Sequence, residues 1–256
     1  MRVELLSFTP DALNLLLRTK NTRLSHADDP ATWPEEKKLA HLQYMLGTIK
    51  SSWEFVEFVF EIEEVTRAFT HQLVRTRHGS YAQQAMRVVD AREAEVEEPV
   101  SVTGENLGVW RGAVEHSKEA YGQLLDRGVP AQDARGLLPT NVHTSIMAKF
   151  NLRTLHEMAK LRLCTRTQSE YQDVFRLMRE LVVEQYPWAA AFINVQCVAD
   201  GTCAFPHYGP KSCPVWVPEL DREEVKKTVA ARFWSLRHES RPVASGGMAG
   251  KEEGEK

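Results

Sequence analysis

The chain has 256 residues, 43% of them hydrophobic and 26% charged, which suits a water-soluble globular protein with a full core and excludes disorder as its main theme. Thirty-two basic and 35 acidic residues leave a formal charge of −3, so there is no global positive field for nucleic acid or an anionic membrane. No run reaches the roughly 20 apolar residues of a spanning helix, since the best candidate, residues 53–62, is broken by Glu54, Glu57 and Glu61.

The opening MRVELLSFTP lacks the apolar core of a signal peptide, so a cytoplasmic protein is expected. Residues 2–7 read as a first strand. Pro34 and the segment behind it read as a helix, with acids near its start and Leu39, Leu42, Met45 and Leu46 on one face. Phe58, Phe60 and Ile62 then alternate with Val59, Glu61 and Glu63, the pattern of a half-buried strand. Residues 66–75 return to helical spacing, with Ala68, Leu73 and Val74 apolar. Gly79 and Ser80 break that helix, and residues 86–89 read as a short strand.

Residues 93–104 are acidic and expected to be exposed. Residues 110–125 read as a helix, and Gly104, Gly108 and Gly112 as a close-packing face. A short helix is expected over 132–138, a long one over 145–165 and another over 168–185. The Pro-, Gly- and Cys-rich remainder reads as an irregular cap, and residues 245–256 as a disordered tail behind one domain of residues 1–244. The fold class expected is α+β: a small, mostly antiparallel sheet packed by long helices.

No dinucleotide-binding glycine pattern, phosphate loop, nucleophile elbow or paired-histidine zinc motif occurs. Three other constellations could carry chemistry. Gln72, Arg75, Arg77, Ser80, Gln83 and Arg87 crowd a helix end and a Gly-Ser break. Guanidinium forks and free backbone N–H groups there could hold an anion. The same residues could equally be a wet surface salt-bridged to the acids of 93–98. Arg135 stands in QDARGLLP. Asn151, Arg153 and Arg162 flank the apolar stripe Leu152, Leu155, Ala159 and Leu163, so they either line a long ligand or face water.

In order and spacing these clusters resemble the flavin-dependent thymidylate synthases. The family's R-H-R-x-x-S motif stands here as Arg75-Thr76-Arg77-His78-Gly79-Ser80 and continues to Gln83, Ala85 and Arg87. A-R-x-x-L-P matches residues 134–139, N-x-R matches Asn151 and Arg153, and L-R matches Leu161 and Arg162. The resemblance spans residues 51–170. It implies transfer of a one-carbon unit from methylenetetrahydrofolate to carbon 5 of dUMP. FAD is the cofactor and NADPH the reductant, in a homotetramer whose sites draw on several subunits. It implies FAD contacts from Ser51, Arg75, Thr76, Arg77, Gln83, Asn151, Arg153 and Glu157. Gln72, Arg75, Gln83, Ala85, Arg87, Arg135 and Arg162 would hold the nucleotide, a pyrimidine deoxynucleoside monophosphate. Arg162 would be the catalytic cation at the pyrimidine edge, where no protein nucleophile is needed.

Four positions depart from the family pattern. Thr76 replaces the motif histidine and Ala85 its serine, while Glu157 and Phe55 stand where histidines are common. These changes leave open a hydroxymethylase or methylase acting on dUMP or dCMP, or a protein that holds flavin and nucleotide without turnover. Outside the resemblance, Cys197, Cys203, His207 and Cys213 have the ligand types of a tetrahedral zinc site but lack close C-x-x-C pairs. Free thiols are the expectation there and at Cys164, and no metal is expected.

Overall fold

The computed structural model describes residues 1–205 and Cys213. His207 and the tail expected to be disordered therefore lie outside the described residues. Four strands form one antiparallel sheet in the order β1-β2-β4-β3: β1 (Arg2–Phe8), β2 (Glu57–Thr66), β3 (Ser80–Gln83) and β4 (His143–Asn151). The α+β class is as expected.

The alternation in β2 does what the sequence indicates. Phe58, Phe60 and Ile62 are fully buried and stand opposite Phe150, Ala148 and Ile146 of β4. Each large apolar side chain so buried contributes on the order of 1.5–3 kcal/mol. The ladder slips between Ile62 and Val65, where Glu64 takes a left-handed φ of 55°.

Helices pack on this sheet. α1 (Ala12–Arg23), which the sequence reading passes over, buries Leu16 and Leu17. α2 (Glu35–Leu46) starts as expected but stops at Gly47, short of the expected end at residue 50, and Leu39 of the expected face is exposed. α3 (Arg67–Leu73) follows β2 directly. Its cap, Thr66, accepts the Phe69 N–H at 3.0 Å, and Glu170 accepts the Thr66 N–H and O–H at 2.6 Å each. α4 (Glu105–Asp126) and α5 (Ala131–Ala134) make a second, smaller apolar cluster around Tyr121 and Met86. α6 (Leu152–Arg162), α7 (Ser169–Gln185) and α8 (Gln196–Ala199) complete the main core.

Three expectations are corrected. The long helix over 145–165 is a strand followed by a helix: Thr144, Ile146, Ala148 and Phe150 are buried while Met147 is exposed. Ala, Met and Lys favour helix locally, but β4 is central, and its ladders to β2 and β3 override that preference. The strand expected at 86–89 lies instead at Ser80–Gln83, where Tyr81 packs edge-on to Phe150. Residues 86–89 are a turn, with Val88 N–H bonded to the Ala85 carbonyl at 3.1 Å. Gly104, Gly108 and Gly112 are not a packing face among the described residues, since a Cβ added at any of them would meet nothing within 4 Å there. As expected, the acids over 93–98 are exposed.

Candidate active site

The β4–α6 junction builds the site. Asn151 ends the strand and caps the helix, its side-chain oxygen accepting the Thr154 N–H at 2.8 Å. That use of the oxygen leaves the amide N–H groups for a ligand. Arg153, Thr154, Glu157, Met158, Leu161 and Arg162 then line a cavity of about 570 Å³, closed by Glu54, Thr76 and His78. Glu54 comes from the 3-10 turn Lys50–Phe55, and Thr76 and His78 from the turn after α3. The volume lies within the usual range for cofactor sites.

Charge in the cavity is arranged in pairs, with one exception. Arg153 pairs with Glu54. Glu157 accepts from Lys50 at 3.2 Å and has Lys160 at 3.6 Å. Burial pushes the Glu157 carboxyl up, but the Lys50 hydrogen bond and the two lysine charges outweigh it, and its pKa lies below the ordinary value. Arg162 has no carboxylate partner among the described residues; its guanidinium lies over the Tyr171 ring, 4.3 Å from the centroid. Burial raises the Tyr171 phenol, against the pull of the Arg162 charge.

Behind Glu157, His156 is buried. Its Nδ1–H donates to the Phe192 carbonyl at 2.6 Å, so Nε2 accepts from Lys50 Nζ at 2.9 Å. Burial holds this imidazole below its ordinary pKa and therefore neutral at pH 7.

Of the residues singled out in the sequence, Thr76, Asn151, Arg153, Glu157 and Arg162 meet on this cavity. The others lie outside its wall. Gln83 donates to the Thr70 hydroxyl at 2.7 Å, and Gln72 donates to Gln168. Ser51, Arg75, Arg77, Ala85, Arg87 and Arg135 are exposed. The alternative of salt bridges to residues 93–98 is not realised. Glu98 pairs with Arg111 at 2.5 Å, and Glu95 and Glu97 approach His143 at 3.7 and 3.1 Å. Arg75, Arg77 and Arg87 have no ion-pair partner among the described residues.

The sequence reading missed Glu54, Thr154 and Met158 of the wall, and Arg67 beside Arg135. Arg67 donates to the Gln84 carbonyl at 3.4 Å, and burial followed by the Arg135 charge lowers its pKa. Glu54, three residues past Ser51, carries a weak signal; Arg67 carries none until β2 brings it to the sheet. Among the described residues no three metal-ligating side chains already stand around a common position.

These features define an α+β protein with a half-enclosed cavity beside a turn whose arginines have no ion-pair partner among the described residues. The family described as "Thymidylate synthase complementing protein" matches residues 4–188, and the chain belongs to it. A flavin-dependent thymidylate synthase of Pyrococcus abyssi is 32% identical over 231 residues, 83% of this chain and 93% of the relative. That of Geobacter sulfurreducens is 35% identical over 198 residues, 71% and 82% of the two chains. That of Pyrococcus furiosus is 33% identical over 186 residues, 68% and 75% of the two.

Proposed function

We propose that this protein is a flavin-dependent thymidylate synthase. Its substrates would be dUMP, methylenetetrahydrofolate and NADPH, its cofactor FAD and its product dTMP. The observation that carries the reading is the convergence of Thr76, Asn151, Arg153, Glu157 and Arg162 from separate motifs on one cavity. The fit to FAD rests on that volume, on the Asn151 amide, and on the near-by Arg75 and Arg77, which have no carboxylate partner among the described residues. A pyrophosphate needs such donors.

Asn151 and Arg153 hold the cofactor from the start of α6, with Ser51, Arg75, Thr76, Arg77, Gln83 and Glu157 around it. The chemistry a bound flavin supplies is hydride transfer. Arg162 holds a fixed positive charge at the pyrimidine edge. That charge favours negative charge at N3 and O2, which makes carbon 5 nucleophilic toward the one-carbon unit. Stacking on Tyr171 fixes the guanidinium without neutralising it, as a carboxylate partner would. Arg87 and Arg135 take the phosphate, with Gln72, Arg75 and Gln83 along the nucleotide. These groups are exposed or lie outside the cavity of one chain, which supports a homotetramer whose copies complete each other's sites.

The test is the visible spectrum of the purified protein, titrated with dUMP and then dCMP. A flavin band that shifts with dUMP supports the uracil-directed synthase. The exposed Ala85, without the family hydroxyl, favours the second reading, a hydroxymethylase or methylase on dCMP, which predicts a shift with dCMP alone. No flavin band after FAD addition overturns both.

A further inference from the structure

The C-terminal cysteines lie apart from the cavity and play no part in the proposed reaction. Cys164 follows the last turn of α6, its N–H bonded to the Leu161 carbonyl at 3.1 Å. Cys197 lies on α8, and both residues pack against the main core. An ion pair between Lys160 and Asp200, 3.3 Å, ties the segment after α8 to the same end of α6. Gln196 donates to the Thr202 hydroxyl at 3.3 Å, folding that segment back on α8 and bringing Cys203 with it. The Cys213 sulfur lies 3.9 Å from the hydroxyl of Thr165, the residue after Cys164.

Two of these sulfurs already carry outer hydrogen bonds. The Phe205 N–H donates to the Cys203 sulfur at 3.3 Å, and the Arg166 N–H donates to that of Cys164. In both, the donor is two residues past the cysteine. Metal-bound thiolates are commonly supported in this way.

We propose that Cys164, Cys197, Cys203 and Cys213 bind one zinc ion, which pins the segment beyond α8 to the end of α6. An all-sulfur set selects a soft tetrahedral cation over magnesium or calcium. The sulfurs would draw in to about 2.3 Å from the metal, and four thiol protons would leave to solvent. Cys164 takes the place that spacing alone gave to His207; it precedes Cys197 by 33 residues, so no local motif reveals it.

The test uses the full chain purified under reducing conditions. Elemental analysis is expected to find about one zinc per chain, released in step with mercurial titration of the four thiols. Replacement by cobalt is expected to give the visible d–d and thiolate charge-transfer bands of a tetrahedral sulfur site. Cys203→Ser is expected to lose the zinc; if that variant does not fold, the cobalt spectrum of the native chain decides. Four thiols that titrate freely in a folded, zinc-treated chain would overturn the proposal. So would a disulfide found by mass, or bound zinc with the thiols unprotected. The spectrum of bound flavin is independent of each outcome, so this proposal and the catalytic reading fail separately.

Discussion

Gly79→Ala probes whether the turn of the motif is held by close approach or merely tolerates glycine. A Cβ at Gly79 would lie 2.5 Å from Cε1 of Phe150 and 2.5 Å from the Tyr81 hydroxyl. Phe150 is fully buried and cannot retreat into solvent. The Tyr81 hydroxyl lies 2.7 Å from the Thr76 carbonyl and 3.0 Å from that of Leu73, and so ties β3 to the turn that carries Arg75, Thr76 and Arg77. Overpacking costs about 1–3 kcal/mol and the displaced hydroxyl bond about 1 kcal/mol more. A total of roughly 2–4 kcal/mol is expected to lower Tm by on the order of 10 °C in a domain of this size. Flavin affinity should fall with it, since Thr76 lines the cavity. The control is Gly122→Ala within α4, where an added Cβ meets nothing within 4 Å; there a gain of about 0.5–1 kcal/mol is expected. Calorimetry and flavin titration read both variants. Gly79→Ala within about 0.5 kcal/mol of the native protein, with unchanged flavin binding, would refute the close-approach argument.

Other substitutions separate the roles of individual residues. Arg162→Ala should abolish turnover while flavin absorbance is retained; an active variant would refute the role given to this cation. Arg87→Ala should weaken nucleotide binding about tenfold or more in calorimetric titration with little change in Tm, and unchanged affinity would contradict its phosphate role. Glu170→Gln removes the carboxylate that accepts both bonds from Thr66, and should cost about 1–3 kcal/mol in denaturant unfolding. His156 is held neutral by burial, its pKa below the ordinary 6.5. As pH falls below 6.5 the unfolded chain takes up a proton that the folded one refuses, so stability declines until the folded pKa is passed. His156→Gln should flatten that decline in unfolding measured between pH 7 and 5, and an unchanged slope would assign it to other groups.

Local pattern was enough for several segments, although α1 was passed over. Phe58, Phe60 and Ile62 announced β2, Pro34 and its acids announced α2, and the spacing of Tyr171, Val174, Phe175, Met178 and Val182 agrees with the amphipathic α7. The ordered motifs from Arg75 to Arg162 likewise pointed to the family on the primary sequence alone, because spacing between short motifs survives without coordinates. What depended on distant partners was not legible. β4 carries helix-favouring residues, and two flanking ladders decide its state. The Arg153–Glu54 pair spans 99 positions, and the Lys50–Glu157 pair 107, so no periodicity could bring them to one cavity. Cys213 comes within 3.9 Å of the Thr165 hydroxyl, beside Cys164, although 48 positions separate the two. Propensity and motif order are properties of neighbours in the chain. The cavity and its charge pairing are properties of neighbours in space, which the antiparallel sheet and the helices packed on it create.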